Sequence, residues 1–136
     1  MRYDLIFIGT ALAALFVGEG LGIYMGIAQD FTFVPVHVHL NLLGWVTLAL
    51  FGVMHRLYPA LAASRMAMTQ CVLAIVASLA MPAGLAILLM TQDATVVKLA
   101  SLAVILGTIL FIVMFVRAQM RAPKGDARLG AGAPAA

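Results

Sequence analysis

The sequence predicts an all-α protein, a membrane-embedded bundle of four transmembrane helices with both termini in the cytoplasm. Three observations carry this prediction. Hydrophobic residues make up 65% of the chain and charged residues 10%, against about half and about a quarter in soluble domains. The apolar residues fall into four long runs. The basic residues stand at the ends of those runs and in the tail. Membrane topology accounts for that placement, and for the net charge of +3, better than nucleic-acid binding does.

Crossing a hydrocarbon core of roughly 30 Å takes about 20 helical residues. Leu5 to Ala28, Val34 to Leu57, Met66 to Met90 and Val96 to Val116 all reach that length. Lipid offers no partner for an unpaired backbone group, so each run is expected to be helical. The first run is longer than the core of a secretory signal, so it is read as a retained span and not a cleaved leader. Gln29-Asp30, Pro59 to Arg65 and Thr91 to Thr95 are the connectors. Pro82 is expected to kink the third helix. Residues 1–121 form the transmembrane domain, and from Ala122 to Ala136 a Pro, Gly and Ala composition predicts a mobile cytoplasmic tail.

Arg2, Arg56, Arg65, Arg117, Arg121, Lys124 and Arg128 fall on one side of a four-span arrangement, and Lys98 alone on the other. Seven against one is a positive-inside signal, and it predicts a protein integral to the cytoplasmic (inner) membrane. The single cysteine, Cys71, excludes an intrachain disulfide and a cysteine-built metal cluster. In its apolar run it reads as a small hydrophobe. The nine methionines are spread along the spans and read as packing.

Polar residues inside a span are expensive and therefore informative. Glu19 lies in the first span, with His37, His39 and Asn41 near the outer end of the second. At that depth the Glu19 carboxyl is either uncharged or paired with a cation. A histidine, a haem edge group and a proton path are the candidate partners. Thr10, Ala14, Gly18, Gly22 and Gly26 form a small-residue stripe that lets another helix approach closely. His55 and Arg56, at the inner end of the second span, are read as interface anchors.

In a regular helix, at about 100° per residue, His37 and His39 point roughly 200° apart. From a regular helix they therefore do not readily ligate one ion, and they can serve two sites, one on each flank. Asn41 and Gly44 lie near the His37 face, giving it a hydrogen-bonding group and then an open space. Leu43, Val46 and Leu50 continue the His39 face as an apolar surface fit for a porphyrin or a helix. Trp45 is expected to pack against a helix or a cofactor. A neutral imidazole in apolar surroundings is a good ligand for haem iron. Two histidines within three residues, in a chain holding three, point to cofactor binding. Absence of a Cys-x-x-Cys-His motif favours non-covalent haem b.

The stretch His37-Val38-His39-Leu40, with Gly44, Ala49, Gly52 and the ending Tyr58-Pro59, resembles the tenth helix of haem–copper oxidase subunit I. The likeness spans the 23 residues from His37 to Pro59, about a sixth of the chain. It implies that His37 ligates a high-spin haem and His39 a low-spin haem on the opposite flank. That family's subunit has about twelve helices in three groups of four, whereas this chain has four. No His-His pair or histidine–tyrosine helix is present to hold copper, so oxygen reduction by one chain is not expected. Three copies of a four-helix unit would rebuild the larger ring. A haem could then lie between subunits, on His39 of one and His37 of the next, as a head-to-tail contact requires.

The leading expectation is thus a six-coordinate b-type haem protein for electron transfer, in the lipid bilayer and as a homotrimer. It is an electron carrier more readily than an oxygen reductase. A second class is a proton or metal transporter or channel using Glu19 and the histidines. A copper site on His37 across an oligomer is its variant, since imidazole also suits copper. A third is a haem-free assembly subunit whose histidines only bridge helices.

Overall fold

The computed structural model describes residues 1–121, and the expected tail, Ala122 to Ala136, lies outside the described residues. Among the described residues every regular element is a helix, without strands. Its elements are α1 (Tyr3–Ala28), α2 (Val34–His39), a π-helical segment π1 (Leu40–Thr47), α3 (Leu48–Leu57), α4 (Pro59–Ala62), α5 (Ala67–Thr91) and α6 (Thr95–Arg121). Four helices are long and apolar enough to cross a membrane: α1, the continuous α2–π1–α3 rod from Val34 to Leu57, α5, and α6. They match the four predicted spans to within a few residues.

Local chemistry sets the ends. Gln29 and Gln92 close α1 and α5 in the left-handed conformation, with φ of 51° and 64°. Asp30 and Asp93 then fold the connectors. The Asp30 Oδ1 accepts from the Thr32 amide and hydroxyl, and the Asp93 Oδ1 accepts from the Thr95 amide at 2.8 Å. The connector after the second span holds a short helix, α4, which opens on Pro59. Proline at a first helical position lacks only an amide that would be unpaired anyway. α5 runs unbroken through the buried Pro82.

Each hairpin packs through small residues. α1 lies along the second span, α5 along α6, and the second span stands between α1 and α5. A Cβ built on Gly52 would meet Ile8 Cγ1 at 2.7 Å, and one on Gly84 would meet the Val97 amide nitrogen at 2.7 Å. Both glycines permit backbone approaches that a larger residue forbids. Phe7, Ala11, Leu48, Cys71 and Ala74 form one core cluster, and Leu61, Ala67, Met114 and Ala118 form another at the end bearing α4. Phe51 and Phe111 stack at 4.3 Å between the second span and α6. At that end Asp4 accepts from Arg2 at 2.9 Å and from Arg56 at 3.4 Å, tying α1 to α3.

Candidate functional site

The three histidines share one local arrangement. His37 donates its Nδ1–H to the Gly18 carbonyl at 2.9 Å, His39 to the Pro35 carbonyl at 2.8 Å, and His55 to the Phe51 carbonyl at 2.9 Å. The last two are bonds to the carbonyl one turn earlier in the same helix, and the first crosses to α1. A ring that donates through Nδ1 keeps the Nε2 lone pair free, the tautomer that suits a metal ligand. The hydrogen-bond partner assigns that tautomer.

His37 and Asn41 are seated on the glycine stripe of α1. A Cβ on Gly22 would meet the His37 Cε1 at 2.9 Å, and one on Gly18 would meet the Asn41 Nδ2 at 2.6 Å. Asn41 donates its amide to the His37 carbonyl at 2.8 Å. The partner of the stripe at Gly18 and Gly22 is therefore internal, and its grooves are filled by these side chains. The space beyond Gly26 stays open.

Two expectations need correction. Gly44 does not open a space on the His37 face, because a Cβ there would meet Ala14 Cβ at 2.9 Å. It is a packing glycine, consumed by the contact between α1 and π1. Further along the rod, Leu43, Thr47 and Phe51 line a cleft with Ala74, Ser78 and Gly107, of about 240 Å³. Their register passes through π1, whose turns are wider than those of an α-helix. The Thr47 hydroxyl bonds the Leu42 carbonyl, five residues back, at 2.8 Å. Nor is His55 an interfacial anchor. It is 3% exposed and enclosed by the rings of Phe7 at 5.3 Å, Phe111 at 6.1 Å and Tyr3 at 6.2 Å. Arg56 alone reaches outward, on Asp4.

Glu19 is on the exposed face of α1, and among the described residues it reaches no ion-pair partner. It is not brought to either histidine. Trp45 is on the outer face of π1, 36% exposed. His37 and His39 are half-buried, so the structure gathers His37 with Asn41, Gly18 and Gly22, and leaves His39, Glu19 and Trp45 apart from them. One polar group, Gln70, went unnoticed in the sequence, and one, His55, is more deeply buried than expected. Gln70 is fully buried with neither amide atom bonded to the protein, and His55 Nε2 is buried and equally unpaired. Gln70 is a polar residue inside an apolar run, the same signal that singled out Glu19.

Among the described residues no group of three His, Cys, Asp or Glu side chains gathers to hold a metal ion. The donor chemistry fits haem in another way, since an axial ligand is a single imidazole nitrogen on each side of the iron. Both His37 and His39 offer such a nitrogen. In comparison with known proteins, no family, no curated protein and no solved structure matches the chain.

Proposed function

We propose that this membrane protein binds haem b through His37 and His39 and passes single electrons, as a four-helix relative of haem–copper oxidase subunit I. The observation that supports the reading is the pair of Nδ1–H bonds to the Gly18 and Pro35 carbonyls, which leave two Nε2 lone pairs free. Backbone acceptors of this kind orient ligating imidazoles and raise their basicity. Haem held between two imidazoles supplies one-electron redox chemistry.

The chain's own residues do the rest. Gly22 gives the His37 ring its seat, and Gly18 fixes its rotation. Asn41 occupies the next turn and ties the His37 carbonyl. A regular helix turns the two ligands to opposite flanks, so one chain supplies one ligand to each of two sites. The second ligand comes from another copy. Three copies close a head-to-tail ring in which every His39 faces a neighbour's His37. The exposed Glu19 then has an interface to enter, which an intramembrane carboxyl needs. Arg2, Arg56, Arg65 and Arg117 mark the cytoplasmic end of the inner-membrane protein.

Mass measured in mild detergent together with bound haem tests this. The expected result is a trimer carrying haem, with the haem lost or its axial coordination changed in both His37→Ala and His39→Ala. A haem-loaded monomer contradicts the trimer, and full haem content in both variants contradicts the ligands.

A further inference from the structure

We propose that the cleft between the α4 connector and α6 is a binding site for the headgroup of one anionic phospholipid. The cleft measures about 560 Å³ and is lined by Ser64, Arg65, Met66, Met114 and Arg117, with alanines between them. Arg65 and Arg117 are exposed at its rim, while Met114, at 2% exposure, and Ala118 form an apolar floor.

Among the described residues neither guanidinium is ion-paired with a carboxylate. Both ion pairs among the described residues go to Asp4, from Arg2 and Arg56. Arg117 Nη1 reaches the Met66 thioether at 3.6 Å, a weak acceptor. α5 also begins here; Ser64 accepts from the Met66 and Ala67 amides, and the N-cap Met66 provides no side-chain cap for the amides that follow. The positive end of a 25-residue helix therefore stands beside the same cleft. Guanidiniums match phosphate oxygens in geometry and charge. An apolar floor of methionine and alanine adds nothing for a free anion, but it accommodates the first carbons of an acyl chain. The cleft also lies where the bundle's arginines gather, the level at which basic pockets between transmembrane helices meet lipid headgroups.

The test uses the purified full chain in mild detergent, offered phosphatidylglycerol, phosphatidylcholine or inorganic phosphate and read by native mass spectrometry. Retention of one phosphatidylglycerol per chain is expected. Replacing both arginines, Arg65→Gln with Arg117→Gln, should weaken it about 30-fold, and each single replacement about fivefold. Arg56→Gln, whose guanidinium sits on Asp4, should leave it unchanged. Thermal scans in phosphatidylcholine vesicles with and without phosphatidylglycerol give a second readout. The anionic lipid should raise the midpoint of the wild type and not of the double variant. Equal retention by wild type and double variant overturns the proposal. Equal binding of the two lipids does the same, as does protection by inorganic phosphate that equals that of the lipid. No histidine takes part, so the outcome is independent of the haem reading.

Discussion

The rotation of a single imidazole decides what His37 can bind. With Nδ1–H on the Gly18 carbonyl and Cε1 against Gly22, the ring has little freedom, because a methyl added at Gly22 would meet it at 2.9 Å. Gly22→Ala should therefore displace the ring and destabilise the α1–α2 contact by about 1–3 kcal/mol. Thermal unfolding measures the stability, and a shift of the haem absorption bands measures the ligand displacement. Unchanged bands at unchanged haem content would separate His37 from the cofactor. Glu19, His37 and His39 were legible in the sequence as polar residues in apolar runs. Their surroundings were not, since a composition pattern does not say which face of a helix meets its neighbour. Thus Gly44 looked open but is filled by Ala14, and His55 looked interfacial but is caged by three aromatic rings.

At the scale of elements, π1 is the feature that the 3.6-residue period could not foresee. Leu40 to Thr47 continue the apolar run, with one glycine and the weak helix formers Asn41, Val46 and Thr47, and nothing in that pattern announces a wider turn. Its consequence is measurable. Deleting the exposed Trp45 should return the rod toward α-helical register and rotate His37 and His39 against α3. Haem content, read from the absorption spectrum, should fall, while a Trp45→Phe variant should keep it. The connectors behave more predictably. Hydrogen bonds from the Thr32 side chain and amide hold the Asp30 carboxyl below the usual carboxylate range, and those from Thr95 do the same for Asp93. Depressed folded-state values contribute stability that is present above the unfolded pKa of about 4 and lost as pH falls through the folded value. The thermal midpoint should therefore decline on acidification in that window. In a variant carrying Asp30→Asn and Asp93→Asn it should decline less.

For the whole molecule, the four spans were readable because span length and composition are dictated by the bilayer and not by tertiary contacts. The pairing of α1 with the second span and of α5 with α6 follows from short connectors, which leave neighbours in sequence as neighbours in space. What a sequence of one chain does not encode openly is a site divided between chains. The two ligand directions and the exposed Glu19 carry the proposed trimer, and complementation tests it. Coexpressed His37→Ala and His39→Ala chains should recover haem at the minority of interfaces that join an intact His39 to an intact His37. A site lying within one chain would recover none.

The most direct measurement is the reduced-minus-oxidised absorption spectrum of the purified protein after it has been offered haem. The account predicts a sharp Soret band and split visible bands typical of a six-coordinate, bis-imidazole b-type centre, abolished or altered in His37→Ala and in His39→Ala alike. A colourless protein that takes up no porphyrin, or a spectrum indifferent to both substitutions, would contradict it.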